Sequence, residues 1–320
     1  MKKTVVILIL TSFIAVLLIS STSFLYHQIQ RKKEAKRLIP PGQMVTVYGQ
    51  NLHVYTEGDG KETLVFLSGG GTNSPMLDFK PLYSLLRDTY QIAVVEKAGY
   101  GFSDVTDSSR DIDTILSETR EALKQSGMNG PYILVPHSMS GLEALYWAKQ
   151  FPEEVKAIIG LDMAVPEAYA RLDISMPLIH LGAFAAHAGF TRWVPGLTNH
   201  DTIHFSTLTD DEQETYQLLK HHRTSTKNMV KEVQAVKENA EKVKSAGIPD
   251  LPVLLFVSNG KETGFEPEEW LEIQETFYGK LINGEYIRLD APHYIHHREY
   301  EQIAEESRKF LEQLDETDFE

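Results

Sequence analysis

The chain of 320 residues contains no cysteine. Disulfide bonds, thiol nucleophiles and thiolate metal sites are therefore excluded, while the redox compartment stays open. Basic residues are also in the minority, since 31 lysines and arginines stand against 45 aspartates and glutamates and leave a formal net charge of −14. A chain this acidic repels phosphate backbones, so we expect no nucleic-acid partner.

Motifs for nucleotide phosphates and for zinc are missing as well. The glycines at 69–71 are not followed by Lys-Ser or Lys-Thr, and the chain has no Gly-x-Gly-x-x-Gly pattern. His200 and His204 are four residues apart, but a zinc protease would need a glutamate at position 201, where the chain has Asp201. We therefore predict no cofactor and no metal ion.

Charge is absent from the stretch between Thr4 and Tyr26. This run of 23 residues exceeds the ~20 that a helix needs to cross the hydrocarbon core of a bilayer. A cleaved signal peptide is the alternative, but the run is long for a signal core and lacks an Ala-x-Ala cleavage site. We expect residues 1–40 to form a retained transmembrane anchor and basic stem at the cell membrane. Basic residues flank both sides of the run, so the side on which the rest of the chain lies stays open.

Apolar runs alternate with helical patterns after the stem. Residues 44–58 alternate apolar and polar positions around a turn, which predicts a β-hairpin. Strands that alternate with helices imply an α/β fold with a mostly parallel sheet flanked by helices. The predicted strands are 63–71, 90–96, 132–135, 155–162, 252–258 and 284–290, and the predicted helices include 76–87, 112–125, 142–151 and 300–314.

One long interval interrupts this alternation. Residues 165–245 contain charged helical patterns and no convincing strand, and they are too many for an ordinary connection. We predict that they form a helical cap inserted between two strands, above the carboxyl edge of the sheet where open α/β folds bind ligands. The predicted core then comprises residues 41–164 and 246–320, and nothing in the sequence indicates the oligomeric state.

A candidate nucleophile lies in the stretch "PYILVPHSMSGLEALYWA" at 131–148, which has the pattern of a strand, a sharp turn and a helix. Neither Ser138 nor Ser140 has an intact Gly-x-Ser-x-Gly motif. A nucleophile in such a turn needs small residues two positions before and after it, because larger side chains collide with the neighbouring backbone. Leu142 is too bulky to follow Ser140, whereas Pro136 and Ser140 are compact enough to flank Ser138. We predict Ser138 as the nucleophile, with a helix-capping serine as the alternative.

A serine nucleophile needs a base, which should follow a later strand. The segment "RLDAPHYIHH" at 288–297 offers His293, His296 and His297. His293 comes first after the end of the strand, and it stands in the chain order of nucleophile, acid and histidine. We therefore predict His293 as the base.

Four segments together resemble the α/β-hydrolase family over residues 44–314. "LVFLSGGG" resembles the strand and oxyanion loop, and "VVEKAGYGFSD" resembles the glycine turn, with Glu96 in place of the family's aspartate. "VPHSMSGLEALYWAKQFPEEV" resembles the nucleophile turn with its helix, and "APHYIHH" resembles the histidine loop. The resemblance implies an α/β-hydrolase fold and a triad of serine, histidine and acid.

The chain departs from the family pattern at four positions. Ser68 replaces the usual histidine of the oxyanion loop, and Pro136 and Ser140 replace the glycines around the nucleophile. Pro292 replaces the glycine before the catalytic histidine. None of these replacements removes a chemical group that the mechanism needs.

Two carboxylates compete for the role of the triad acid. The segment "IIGLDMAVP" at 158–166 resembles the Gly-Leu-Asp-x-Ala-x-Pro of pancreatic-type lipases, in which that aspartate is the acid, and this favours Asp162. Most family members place the acid after the strand that follows the cap, where the nearby carboxylate is Glu262. We favour Asp162 and keep Glu262 as the alternative. The oxyanion hole is expected from the backbone N–H groups of Met139 and Gly70.

These residues predict a serine hydrolase that cleaves an acyl bond of a small-molecule substrate, with a carboxylic ester as the first choice. A peptidase of the prolyl-aminopeptidase type and an acyltransferase are alternatives that use the same groups. A non-catalytic binding protein with the α/β-hydrolase fold is the competing class, and the altered nucleophile turn is its motivation.

Overall fold

An eight-stranded sheet organises the computed structural model, which describes residues 2–194, 201–205 and 207–317. Its spatial order is β1-β2-β4-β3-β5-β6-β7-β8. The pairs β1–β2 and β2–β4 are antiparallel, as the predicted hairpin requires, and all other pairs are parallel. The strands are β1 (Gln43–Val47), β2 (Gln50–Glu57), β3 (Thr63–Leu67), β4 (Gln91–Glu96), β5 (Tyr132–Pro136), β6 (Val155–Leu161), β7 (Val253–Val257) and β8 (Gly284–Arg288).

Helices connect the strands and cover both faces of the sheet. The central strands β3, β5 and β7 are buried at every residue, which is typical of parallel strands covered on both sides. The prediction of a mostly parallel sheet flanked by helices is thereby confirmed. Around the sheet lie α2 (Pro75–Asp78), α3 (Lys80–Leu86), α4 (Ile112–Gln125), α5 (Gly141–Gln150), α11 (Pro267–Tyr278), α12 (Ile295–Arg298) and α13 (Tyr300–Thr317).

Two apolar layers stabilise this arrangement. On one face, Leu116 of α4, Leu145 of α5 and Trp270 of α11 belong to a single buried cluster with residues of the strands. On the other face, Tyr83 of α3 and Phe310 of α13 belong to a second cluster. Burying side chains of this size stabilises a fold by roughly 1.5–3 kcal/mol each. The loops after the parallel strands therefore project from a rigid support.

The helical insertion, residues 165–245, lies between β6 and β7. Its described residues, 165–194, 201–205 and 207–245, contain helices and turns and no strand. Thr209 and Glu212 form a reciprocal capping box at the start of one helix, residues 210–223. The last helix, residues 227–246, packs across both α5 and the first helix of the insertion, residues 166–171. The helices are α6 (Pro166–Arg171), α7 (Met176–His187), α8 (Asp201–His204), α9 (Asp210–Arg223) and α10 (Lys227–Ala246). His204 lies in α8, while His200 lies outside the described residues.

The N-terminal helix α1 (Lys2–Glu34) has two different parts. Its apolar residues from Val5 to Ile19 are exposed, and among the described helices α1 is the one whose length and composition would suffice to cross a membrane. The sequence predicts that the whole segment is separate from the fold. Instead, Ser23, His27 and Glu34 are buried, because this end of α1 packs against the helical insertion.

Candidate active site

Ser138 lies in the tight turn between β5 and α5. Its φ is +53°, a left-handed conformation that side chains other than glycine rarely adopt. Such a turn exposes a side chain at the carboxyl edge of the sheet, where a nucleophile is needed. The close approach of α5 requires Gly141, because a Cβ atom there would lie 2.3 Å from the carbonyl oxygen of Ala164.

Ser140 has a structural role in the same turn. Its Oγ lies 2.6 Å from the carbonyl oxygen of Leu67, at the end of β3, and accepts a hydrogen bond from the N–H of His137 at 3.1 Å. The Ser140 side chain is buried, so it holds the turn against β3 and is not presented to a substrate. The bulk of Leu142 disfavours Ser140 as the nucleophile, and the burial of Ser140 against β3 is a second reason against it.

A chain of hydrogen bonds links the predicted nucleophile, base and first-choice acid. His293 Nε2 lies 2.8 Å from Ser138 Oγ. His293 Nδ1 lies 2.5 Å from Asp162 Oδ2, and Asp162 is fully buried. Both ring nitrogens of His293 are therefore occupied, one by the hydroxyl and one by the carboxylate. This is the geometry in which an imidazole takes a proton from a serine while a carboxylate orients it.

The carboxylate of Asp162 is fixed by two further donors. Its Oδ1 accepts hydrogen bonds from the N–H of Ser258, just after β7, at 2.8 Å and from Trp270 Nε1 at 2.9 Å. Trp270 is a supporting residue that was not predicted from the sequence. The available signal was that a buried tryptophan usually needs a partner for its indole N–H, but the sequence alone did not indicate which acceptor it would reach.

Glu262 lies in the turn after β7, where its side chain is exposed to solvent. Neither nitrogen of His293 is available to it, because Ser138 and Asp162 occupy both. This turn contacts the histidine through its backbone instead, since the N–H of His293 donates to the carbonyl oxygen of Lys261 at 3.0 Å. The structure thus brings Asp162 to the histidine and does not bring Glu262 there.

The glycine loop after β3 lies directly against the nucleophile turn. A Cβ atom on Gly69 would stand 2.8 Å from Ser138 Cβ, and one on Gly70 would stand 2.7 Å from Met139 Cε. Only residues without a side chain can approach the turn this closely. Gly70 and Met139, the two predicted oxyanion donors, are consequently neighbours beside Ser138.

A buried polar chain connects this glycine loop to the helical insertion. The N–H of Gly71 donates to the hydroxyl of Tyr100 at 3.3 Å, and that hydroxyl donates to Glu232 of α10 at 2.7 Å. Lys97 donates to the other carboxylate oxygen of Glu232 at 2.5 Å. Burial, together with the charge of Glu232, raises the pKa of Tyr100 well above its ordinary value, so the phenol stays protonated.

His137, next to the nucleophile, is a further residue that the sequence analysis passed over. Its buried ring lies 4.8 Å from the ring of His293, and its Nε2 donates to the carbonyl oxygen of His293 at 3.2 Å. Burial is the largest reason that the pKa of His137 lies well below its ordinary value. The neutral ring thus supports the loop that carries His293.

The described residues also include one buried group whose composition would suit a metal ion. His296 Nε2 and His297 Nε2 each lie 3.0 Å from a different oxygen of Asp78. Burial opposes ionisation of Asp78, but the two histidines outweigh it and hold the pKa of the carboxyl well below its ordinary value. These contacts already pair the atoms that would bind a cation, so the group serves as a buried hydrogen-bonded cluster.

Comparisons with known proteins agree with this architecture. The family model described as the alpha/beta hydrolase fold matches residues 62–188. An uncharacterised protein of Bacillus subtilis, YbdG, is 37% identical over 306 residues, which cover 93% of this chain and 94% of that protein.

Solved structures with this fold extend the comparison. The enol-lactonase from Burkholderia xenovorans has a TM-score of 0.63 at 15% identity, over 84% of this chain and 99% of its own. A loop variant of a haloalkane dehalogenase from Bradyrhizobium elkanii has a TM-score of 0.61 at 16% identity, over 86% of this chain and 97% of its own. At these identities the likeness concerns the fold. With the family model, the relative and the sheet topology in agreement, the chain belongs to the α/β-hydrolase fold family.

Proposed function

We propose that this protein is a serine hydrolase that cleaves an acyl bond, with a carboxylic ester as its preferred substrate. The observation that carries the proposal is the hydrogen-bonded chain from Ser138 through His293 to the buried Asp162. Dehalogenase and epoxide-hydrolase chemistry needs an aspartate at the position of Ser138, so the serine favours acyl transfer. A binding protein without catalysis would have no use for a base placed 2.8 Å from a strained serine.

The proposed reaction begins when Ser138 Oγ attacks the carbonyl carbon of a small-molecule acyl substrate. The hydroxyl proton passes to His293 Nε2, and Asp162 stabilises the imidazolium that forms. The developing oxyanion accepts hydrogen bonds from the backbone N–H groups of Gly70 and Met139. His293 then gives its proton to the leaving alcohol, which leaves an acyl group on Ser138.

A water molecule completes the cycle in the second half of the reaction. His293 takes a proton from this water as the water attacks the acyl carbon. His293 then returns the proton to Ser138 Oγ as the ester bond to Ser138 breaks, which releases the acid and restores the serine. Residues 165–245 form a cap over the site, and Tyr100 connects the cap helix α10 to the oxyanion loop. The apolar part of α1 anchors the enzyme in a cell membrane, as its length and exposed apolar surface allow.

A panel of p-nitrophenyl esters of increasing acyl length, with proline p-nitroanilide beside them, tests this proposal on the full chain in detergent. We expect turnover of the esters that Ser138→Ala lowers by about 10³-fold or more. Turnover of the anilide alone would support the peptidase alternative instead. Equal ester turnover by the wild type and Ser138→Ala would refute the proposed mechanism.

A further inference from the structure

The helical insertion exposes an apolar edge. In α7, Leu178, Leu181 and Phe184 are between 58% and 66% exposed, and Trp193 after it is 59% exposed. The sequence of α7, MPLIHLGAFAAH, contains no aspartate, glutamate, lysine or arginine. Contiguous exposed apolar surface of this kind is uncommon on soluble proteins and marks a binding face. We call Leu178, Leu181, Phe184, Trp193 and Val194 the apolar edge.

The apolar edge is continuous with the point at which α1 reaches the folded domain. Trp193 Nε1 donates to Ser23 Oγ at 3.0 Å, and the rings of Trp193 and Tyr26 lie 5.2 Å apart. Gly189 permits this contact, because a Cβ atom there would lie 2.5 Å from His27 Cβ. The chain between α7 and Trp193 is thus packed directly on α1.

An ion pair also fixes the contact between α1 and the helical insertion. Both terminal nitrogens of Arg192 donate to the two carboxylate oxygens of Glu34 at 2.7 Å. Bidentate pairs of this type hold a defined geometry, and this one is largely buried. The orientation of α1 relative to the apolar edge is therefore set by specific contacts.

The length of α1 determines how deep in a membrane its contact with Trp193 would lie. The uncharged run from Thr4 to Tyr26 has 23 residues, which measure ~35 Å as a helix, and the hydrocarbon core of a bilayer is ~30 Å thick. When α1 spans a membrane, Tyr26 therefore lies at the membrane–water interface, and Trp193 lies beside it. Tyrosine and tryptophan are the residues that membrane proteins concentrate at this level.

Basic residues follow Tyr26 in the chain, beyond the end of the apolar run. Lys32, Lys33 and Lys36 are exposed within the three turns after Tyr26. At that distance from the hydrocarbon they face lipid headgroups, and each basic residue near an anionic surface contributes about 1 kcal/mol to its attraction. The order of apolar, aromatic and basic residues is that of a membrane boundary.

We propose that the apolar edge inserts into the interfacial layer of the bilayer that α1 crosses. The protein then contacts the membrane at two places, through α1 and through the apolar edge of the helical insertion. The occupant of this face is the lipid bilayer, in the leaflet that contains Tyr26. The inference rests on the proposed membrane anchor, and it does not depend on whether Ser138 is catalytic.

Spin labels measure the depth of this edge, because the chain contains no cysteine of its own. Single variants Leu181→Cys and Phe184→Cys of the full chain are labelled in nanodiscs of mixed phosphatidylcholine and phosphatidylglycerol. Leu17→Cys reports on the anchor. Ile282→Cys is the matched control, since Ile282 is an apolar residue that is 79% exposed. It lies just before β8, at the amino-terminal ends of the parallel strands, whereas the helical insertion follows the carboxyl end of β6.

We expect labels at 181 and 184 to be more accessible to oxygen than to a water-soluble nickel complex, as at position 17, and the label at 282 to show the reverse. Labels at 181 and 184 that match 282 while 17 lies in lipid would overturn the docking and leave the anchor intact. An aqueous label at 17 would refute both.

Tryptophan fluorescence provides a second readout without a cysteine variant. Of the three tryptophans, Trp147 and Trp270 are fully buried, so lipids with brominated acyl chains should quench Trp193 selectively. We expect this quenching in the wild type and its loss in Trp193→Phe. Quenching that is absent from the wild type, or unchanged in Trp193→Phe, would contradict the docking of this edge.

Discussion

Ser138 combines a partly exposed hydroxyl with a backbone conformation that costs free energy. For residues with a Cβ atom, the left-handed region costs roughly 1–2 kcal/mol. The turn between β5 and α5 imposes this conformation, because Ser140 ties it to Leu67 and the carbonyl oxygen of Ser138 accepts from the N–H of Ala164 at 2.8 Å. Stability is given up at this position in order to present the hydroxyl.

The first prediction compares two substitutions that both remove the hydroxyl of Ser138. Only glycine also relieves the positive φ, so Ser138→Gly should have a free energy of unfolding about 1 kcal/mol higher than Ser138→Ala. Urea denaturation of both full-length variants in the same detergent measures the difference. A glycine variant that is no more stable than the alanine variant would show that the turn is not strained.

The second prediction concerns the triad acid. Asp162→Asn keeps the shape of the side chain but removes its charge, so we expect the kcat for p-nitrophenyl acetate to fall by about 10³–10⁴-fold. Glu262→Gln is the matched control at the alternative position, and it should retain nearly full activity because Glu262 is exposed and does not reach His293. Two equally mild effects would refute both assignments.

Some of these residues could be predicted from the sequence more securely than others. The small-residue rule and the chain order singled out Ser138 and His293, because both criteria are local in sequence. The choice between Asp162 and Glu262 depends on how two loops from different strands meet. The supporting donor Trp270 lies 108 residues from Asp162. Such long-range contacts leave little trace in a local pattern.

Helix α10 contributes to the site through the Glu232 carboxylate. The hydrogen bonds from Gly71 to Tyr100 and from Tyr100 to Glu232 position the oxyanion loop from outside the core. A displacement of about 1 Å in a catalytic group can cost up to ~10²-fold in rate. Loosening this connection should therefore affect catalysis without removing any reacting group.

The third prediction tests this connection with Tyr100→Phe. We expect kcat for soluble esters to fall by about tenfold, within the range that small misplacements cause, while KM changes little. Tyr146→Phe is the control, because it removes a tyrosine hydroxyl that donates to Asp113 and takes no part in the hydrogen bonds from Gly71 to Glu232. An equal loss of kcat in both variants would indicate a general loss of stability.

The secondary structure of the core was largely predictable from sequence. Helix α4 has the predicted bounds, and the strands end within a few residues of their predicted positions, because buried parallel strands give continuous apolar runs. The packing of α1 on the helical insertion was not predicted. Nothing in the sequence around Ser23, His27 and Glu34 indicates a contact with the folded domain. Their burial depends on Arg192 and Trp193, which are distant in sequence.

Across the whole molecule, buried histidines make the folded state sensitive to acid. Burial is the largest cause that lowers the pKa of His296 from 6.5 to about 4, and it lowers the pKa of His137 well below 6.5. Between pH 6.5 and about 4 the unfolded chain binds protons at these residues that the folded chain does not bind. Folding stability must therefore fall as the pH falls through this window.

The fourth prediction follows from this loss of stability at low pH. The free energy of unfolding should decrease from pH 6.5 to pH 4, and His296→Gln should reduce the decrease by roughly 1–3 kcal/mol, since one pKa unit corresponds to about 1.4 kcal/mol. Urea denaturation at a series of pH values measures the free energy of unfolding of the wild type and of His296→Gln. His180→Gln is the matched control for the loss of an imidazole, because His180 is an exposed residue of α7. Equal slopes for His296→Gln and the wild type would contradict the role of His296.

The most direct test of the proposed enzyme is covalent labelling by a fluorophosphonate, which reacts with activated serines. We predict that the intact mass of the full chain increases by one adduct, that peptide mapping places it on Ser138 and not on Ser140, and that Ser138→Ala stays unlabelled. Surface serine Ser117, which pairs with Tyr48, supplies the control variant Ser117→Ala, which should label like the wild type. Equally weak labelling of the wild type and Ser138→Ala would contradict catalysis by Ser138.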